Sequence, residues 1–163
     1  MSREKVLDSC LSPIRTKYDY VVVDCPPSLG MLTINVLSTA NQVLIPVSAE
    51  YLPAKGMTKW LGTINKVKQQ LNPKLEILGV AITMSDMRTN MAKSTVDALK
   101  NGFSQHFRIF NSIIPSTVKA KEATTVGKSV YAYAKDSKVA EAYDSLTKEV
   151  IKANKIKNKD YVR

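Results

Sequence analysis

Residues 18–51, YDYVVVDCPPSLGMLTINVLSTANQVLIPVSAEY, decide the fold class of this 163-residue chain. Residues 18–24 contain three consecutive valines, which suit a strand buried on both faces of a parallel sheet. The pattern then predicts a short helix over residues 30–40 and a second apolar strand over residues 42–47. Strand, helix and strand joined by short connections are typical of parallel pairing.

The rest of the chain continues the same alternation. The spacing of apolar residues predicts helices over residues 54–71, 91–102, 118–125 and 137–153, and strands over residues 75–84 and 109–114. The predicted fold class is therefore α/β, a mostly parallel sheet with helices on both faces. We expect one domain over residues 1–163, with an N-terminal helical lead-in over 1–17 and a basic, frayed tail over 154–163. In such sheets ligands bind at the carboxyl ends of the strands.

Composition excludes several classes of protein. With 44% hydrophobic and 23% charged residues, two cysteines and one histidine, the sequence is neither disordered nor a disulfide scaffold nor a Cys/His metal protein. It has no apolar run long enough to span a membrane. The net charge of +10 favours a polyanionic partner, nucleic acid first.

An acid stands at the end of the first predicted strand. Asp24 follows an all-apolar run, and a carboxylate there is costly to bury without a cation or a donor. In phosphate-binding α/β proteins such an acid holds Mg²⁺, usually through water. From the residues alone, a simple turn-capping role stays open beside the metal role.

Further short matches follow the opening stretch in a fixed order. They are Thr83-Met84, residues 86–90 (DMRTN), Ile114-Pro115, Val118-Lys119, Glu122-Ala123, Gly127-Lys128 and Ser137-Lys138 with residues 140–143 (AEAY). Taken together, residues 18–150 resemble the ParA/Soj partition ATPases, the deviant-Walker branch of P-loop NTPases that includes MinD. Because the matches are collinear, chance does not explain them.

The resemblance implies an ATP-dependent switch. Family members sandwich ATP and Mg²⁺ between two subunits of a homodimer, bind DNA without sequence preference at the nucleoid in the cytoplasm, and meet a ParB-like centromere-binding protein that stimulates hydrolysis. By resemblance, Asp24 is the Walker B acid near Mg²⁺. The other implied roles are the γ-phosphate switch for Pro26, Pro27 and Ser28, the adenine pocket for Thr83, Met84, Ile114 and Pro115, and DNA contact for Arg88 and Lys119.

The sequence departs from the family in one respect. It contains no glycine-rich G-x-x-x-x-G-K-[ST] loop, whose amides and lysine hold the phosphates. We therefore expect that this chain alone neither binds ATP tightly nor hydrolyses it. In the family's sheet the strand before that loop lies between the strands predicted here over 18–24 and 42–47. The chain is then the C-terminal portion of a longer protein, a truncated reading frame, or a fold in which those two strands pair directly; we favour the first two.

Two other functions remain open from the sequence. One is a non-catalytic DNA-binding or regulatory module derived from the family, and the other is a MinD-like ATPase with different cargo. MinD-like relatives end in an amphipathic membrane helix, whereas residues 151–163 (IKANKIKNKDYVR) have only scattered apolar residues. We therefore expect no membrane partner.

Overall fold

Helices alternate with strands along the chain in the computed structural model, which describes residues 3–26, 28, 30–49 and 54–160. In chain order the elements are α1 (Val6–Leu11), α2 (Met31–Thr39), β1 (Gln42–Ser48), α3 (Ala54–Gln70), β2 (Glu76–Ser85), α4 (Asn90–Phe103), β3 (Ile109–Pro115), α5 (Val118–Thr125), α6 (Val130–Ala134) and α7 (Lys138–Asp160), with 3-10 segments at Arg3–Lys5 and Ser12–Lys17. The sequence pattern missed α6, a five-residue helix capped by the hydroxyl of Ser129, and it ended α7 too early.

The chain divides into two compact units. The first comprises Met1–Val43 with Lys55–Glu76, and the second comprises Leu44–Ala54 with Ile77–Arg163. In the first unit, Asn35 of α2 is buried and ties down the N-terminal segment. Its side-chain amide donates to the carbonyl of Arg3 (2.7 Å), and its oxygen accepts from the backbone N–H of Leu7 (3.3 Å).

The strands form a three-stranded parallel sheet in the order β1-β2-β3, which confirms the predicted fold class. Between β2 and β3 the aligned Cα pairs are Val80 with Ile109, Ile82 with Ile113, and Ser85 with Pro115. Between the first and second pairs, β3 advances four residues while β2 advances two, so β3 holds two extra residues in this first interval. Between the second and third pairs, β2 advances three residues while β3 advances two, so β2 holds one extra residue in this second interval. Each is a bulge, and bulges re-aim side chains and backbone groups near functional sites.

The strand predicted over residues 18–24 is wrong. Residues 20–26 form neither a helix nor a hydrogen-bonded strand. The valines that were expected to be buried are exposed, and Val22 is 92% exposed. An extended segment becomes a strand only by hydrogen bonding to a neighbour. No described strand pairs with this segment, so its apolar side chains stay in solvent.

The core of the second unit lies between the sheet and α7. Leu78, Ala81, Phe110 and Ile114 of the strands pack in one cluster with three residues of α7, which are Val139, Leu146 and Ala153. The seven-residue spacing of those three residues places them on one face of the helix. Gly79 allows β2 to approach its neighbour closely, because a Cβ there would lie 2.8 Å from both the Arg108 carbonyl oxygen and the Phe110 ring.

A carboxylate closes the outer side of β3. Glu149 of α7 accepts the backbone N–H groups of Asn111 (2.9 Å) and Ser112 (2.8 Å) and the hydroxyl of Ser112. Asn111 and Ser112 lie within the first bulged interval, and two successive N–H groups form a small anion-binding concavity. Burial works to raise the pKa of Glu149, but the three hydrogen bonds, together with the positive charge of Arg108, outweigh it and lower the pKa. Two backbone N–H groups of the β3 edge are thereby satisfied within the chain.

Candidate functional site

Asp24, the predicted Walker B acid, lies in the extended segment outside the sheet. Its side chain is exposed and accepts no hydrogen bond from the part of the chain that the structure describes. The thiol of the following residue, Cys25, is half-buried, and burial together with the charge of Asp24 raises its pKa. The thiol is therefore protonated at neutral pH, and the carboxylate beside it is open to water and to hydrated cations.

The segment predicted as the switch is anchored to the first turn of α2. The hydroxyl of Thr33, a residue only 1% exposed, donates to the carbonyl oxygen of Ser28 at 2.6 Å and lies 3.5 Å from that of Pro26. Pro27 lies outside the described residues. Sequence reasoning did not single out Thr33, and its signal is a polar residue in the first turn of α2.

The four residues predicted to line an adenine pocket meet at the carboxyl ends of two neighbouring strands. Thr83 and Met84 lie just before Ser85, the last residue of β2, and Ile114 and Pro115 end β3. The N–H of Ser116 donates to the Ser85 carbonyl (3.2 Å), which joins the two strand ends. Ile114 is 3% exposed and belongs to the core cluster, so its side chain serves packing first.

Met84 has a strained backbone at this edge. It lies in the second bulged interval, its φ is 49°, and the residue is 56% exposed. The left-handed region costs about 1–2 kcal/mol for a residue with a Cβ, and glycine usually occupies it. The bulge turns the side chain of Met84 out of the core at the strand end, where α/β sheets bind ligands.

Arg88, predicted to contact DNA, lies in the turn between β2 and α4. Its guanidinium donates to both carboxylate oxygens of Asp86, from Nε at 2.9 Å and from Nη2 at 2.7 Å. These bonds, together with the backbone N–H of Arg88, lower the pKa of Asp86 to about 2. The side chain of Arg88 is nevertheless 91% exposed, so most of its donors face solvent.

Lys119, the second predicted DNA contact, begins α5 just after β3. Its ammonium lies 3.2 Å from Glu122 and 5.6 Å from the ring centre of Tyr133, whose hydroxyl donates to the same carboxylate at 3.0 Å. The hydrogen bond and the charge of Glu122 raise the pKa of Lys119. The sequence shows no aromatic residue next to Lys119; the fold brings Tyr133 there from α6.

The predicted site residues therefore fall into two sets. The second unit holds the ends of β2 and β3. Arg88 comes three residues after Ser85, and Lys119 comes three residues after Ser116, to which Ser85 is hydrogen-bonded. The first unit holds Asp24, Pro26 and Ser28. Within the described residues, none of the helices combines the length and apolar character needed to cross a bilayer.

Comparison with known proteins places the chain in a family. A model of an AAA domain matches residues 1–77. Over 151 residues the chain is 40% identical to the chromosome partitioning protein ParA of Myxococcus xanthus, and over 150 residues it is 40% identical to the sporulation initiation inhibitor protein Soj of Bacillus subtilis. The chain belongs to the ParA/Soj family of partition ATPases. This confirms the resemblance inferred from the sequence.

The matches cover 93% and 92% of this ParA/Soj-family chain but only 53% and 58% of the two relatives. The chain thus spans about half the length of the curated relatives it matches. The activity, substrates and partners of a whole ParA/Soj protein are therefore proposals for this chain.

Solved structures agree with the family fold. A cobyrinic acid a,c-diamide synthase from Mycobacterium smegmatis is 31% identical, with a TM-score of 0.71 over 88% of this chain and 51% of its own. The same synthase has been solved with a bound ATP analogue and magnesium. Apo McdA from Cyanothece, at 21% identity and a TM-score of 0.77 over 91% of this chain and 59% of its own, shows the likeness of fold.

Proposed function

We propose that this chain is a working part of a ParA-type partition ATPase, one that dimerises with ATP and binds DNA without sequence preference. The observation that carries the proposal is the 40% identity to ParA and Soj over more than nine-tenths of the chain. Its partners are non-specific DNA, a second copy when ATP is bound, and a ParB-like centromere-binding protein that stimulates hydrolysis.

The proposal gives each set of residues, taken by itself, a nucleotide-binding role that the family resemblance implies. Asp24 supplies a carboxylate for Mg²⁺, which keeps several waters and is held by one or two carboxylates together with phosphate oxygens. Pro26, Pro27 and Ser28 sense the γ-phosphate, and the strand-end segments Thr83-Met84 and Ile114-Pro115 lie beside the adenine, with the side chain of Ile114 packed in the core. The sequence has no glycine-rich phosphate loop. ATP and Mg²⁺ therefore bind only together with a segment that supplies one.

The DNA surface of the proposal consists of Arg88 and Lys119. Both are exposed cations, with 91% and 56% of their side chains accessible, and each follows one of two neighbouring strand ends. Cations of this kind contact phosphates, which positions a protein on DNA without specifying sequence. The net charge of +10 adds long-range attraction.

Salt-dependent DNA binding tests the proposal. The fluorescence anisotropy of a labelled duplex of about 25 base pairs is measured from about 50 to about 200 mM salt. Replacing both Arg88 and Lys119 by alanine removes two phosphate contacts. We expect the slope of log affinity against log salt to fall by about two, and affinity at low salt to drop about tenfold.

A matched control separates these two positions from the total charge. Arg15→Ala with Lys148→Ala removes the same charge from two exposed ion pairs elsewhere, those with Asp8 and Asp144. If that control weakens binding as much as the test variant, or if the test variant keeps the affinity and the slope of the parent chain, Arg88 and Lys119 are not the DNA contacts.

A second function, a non-catalytic DNA-binding module of the same family, is favoured by one observation. The 163 residues contain no phosphate loop of the Walker type. The two functions differ in their response to nucleotide, because only the switch gains DNA affinity with ATP once a loop-bearing segment is supplied. DNA binding that never responds to ATP under that condition indicates the module.

A further inference from the structure

Both cations of the proposed DNA surface are already bound by a carboxylate of the same chain. Asp86 holds Arg88 through two parallel hydrogen bonds, and Glu122 holds Lys119 at 3.2 Å. A phosphate oxygen would use the same donors. DNA and these two acids therefore compete for the two cations.

Asp86 is held in place by the turn around it. Its Oδ1 accepts the backbone N–H of Arg88 at 3.1 Å, and its carbonyl accepts both the N–H (3.0 Å) and the hydroxyl (2.9 Å) of Thr89. Thr89 also caps α4 by accepting the N–H of Ala92. Because the turn is fixed by these bonds, the acid stays beside Arg88 while the guanidinium remains largely in solvent.

Glu122 is held by a residue of α6 rather than by a turn of its own backbone. The hydroxyl of Tyr133 donates to Glu122 Oε2 at 3.0 Å, the same oxygen that Lys119 contacts. The ring of Tyr133 also lies against the Lys119 ammonium, at 5.6 Å from its centre. Tyr133 thus keeps the carboxylate and the cation together on the surface of α5.

We infer that Asp86 and Glu122 are affinity-setting residues of the DNA surface, which compete with phosphate for Arg88 and Lys119 and keep DNA binding weak and readily reversible. The inference rests on the proposed function, since it assumes that these two cations meet DNA. Each acid acts twice, by occupying a cation and by repelling the phosphate that approaches it. Neutralising both acids is therefore expected to strengthen DNA binding and to steepen its salt dependence.

The acids can be replaced without unfolding the chain, because exposed ion pairs contribute little to stability. The test variant is Asp86→Asn with Glu122→Gln, which keeps side-chain size and raises the net charge by two. The control variant is Asp144→Asn with Glu141→Gln, which makes the same change in charge on α7, where Asp144 pairs with Lys148. Thermal unfolding by circular dichroism checks that both variants fold like the parent chain.

DNA affinity of both variants is measured by anisotropy at about 50 and about 200 mM salt. One additional phosphate contact enlarges the loss of affinity between these salts about threefold. The test variant should therefore show a loss about tenfold larger than the parent chain, and the control a clearly smaller change. Equal effects of test and control, or no effect of the test variant, overturn the inference.

A further background separates this inference from the proposed function. In a chain carrying Arg88→Ala and Lys119→Ala, the acid replacements should strengthen binding much less than in the parent chain, because no cation is left to release and only the repulsion of phosphate is relieved. If the cation variant alone leaves DNA binding unchanged, the DNA surface itself is wrong. If it weakens binding while the acid variant matches its control, the surface stands and the competition is wrong. If neither the parent chain nor the acid variant binds DNA at any salt, even with ATP and a loop-bearing segment supplied, both are wrong.

Discussion

Replacing Glu149 by glutamine tests how α7 holds the edge of the sheet. The carboxylate accepts two backbone N–H groups and one hydroxyl from Asn111 and Ser112. Glutamine offers one acceptor in place of two, and its NH₂ group would face an N–H that it cannot accept. Hydrogen bonds to a charged group are worth about 1.5–3 kcal/mol, and the site is partly open to water, so we expect a loss of about 1–2 kcal/mol.

The pH dependence of that loss gives a second readout. The pKa of Glu149 is lowered in the folded chain from its ordinary value of 4.5. A lowered pKa means that the ionised group stabilises the fold above pH 4.5, and that this contribution disappears as the pH falls through the lower, folded pKa. The difference in unfolding free energy between parent and variant should be complete at neutral pH and shrink below pH 4.5.

Urea unfolding followed by circular dichroism measures this difference at each pH. Glu141→Gln, on the exposed face of the same helix, is the matched control and should change stability by less than about 0.5 kcal/mol. An equal loss in both variants, or a loss at Glu149 that stays constant through the acid range, would refute the assigned role of the carboxylate.

Three further predictions concern the backbone and the nucleotide. Gly79→Ala should cost about 1–3 kcal/mol in urea unfolding, because the new Cβ meets Arg108 and Phe110 at 2.8 Å; Gly102→Ala, with nothing within 4 Å, should not destabilise. Met84→Gly should stabilise by about 0.5–1 kcal/mol, since φ 49° suits glycine; a loss of stability would show that the bulge is not strained. The chain alone should hydrolyse ATP no faster than buffer in a phosphate-release assay; measurable turnover that Asp24→Ala leaves unchanged would contradict both the prediction and the assigned site.

The strands that sequence predicts well are those buried within the sheet. A strand was predicted over residues 75–84 and is observed over Glu76–Ser85. The apolar run that indicates this strand in the sequence is also what buries it between two neighbouring strands. Residues 18–24 carry an equally strong signal and form no strand. A strand needs a partner, and hydrophobicity in the sequence says nothing about whether one is present.

The sequence predicted which residues form the candidate site but not how their backbone and side chains are arranged. The strand-end residues Thr83, Met84, Ile114 and Pro115 lie near the carboxyl ends of two paired parallel strands. The sequence does not reveal the left-handed Met84, because a bulge depends on the register between two strands. It also hides the approach of Tyr133 to Lys119, which depends on how α6 follows α5.

The acids beside the cations were within reach of sequence reasoning. Asp86 lies two residues before Arg88 and Glu122 lies three residues after Lys119, both spacings at which side chains meet in a turn or on a helix. Each acid neutralises its cation locally, which the net charge of the chain does not reveal. The long-range bond from Glu149 to β3 had no such signal, since it spans 38 residues.

Binding of Mg·ATP through Asp24 is the most direct test of the account. Calorimetric titration is carried out on the chain mixed with the part of the Bacillus subtilis Soj relative that it does not match, which the family resemblance expects to carry the glycine-rich loop. We predict Mg²⁺-dependent ATP binding by the mixture and none by the chain alone. Asp24→Asn should abolish that binding, and Asp19→Asn, an exposed acid five residues earlier, should not. No binding by the mixture, or binding that survives Asp24→Asn unchanged, would contradict the central claim.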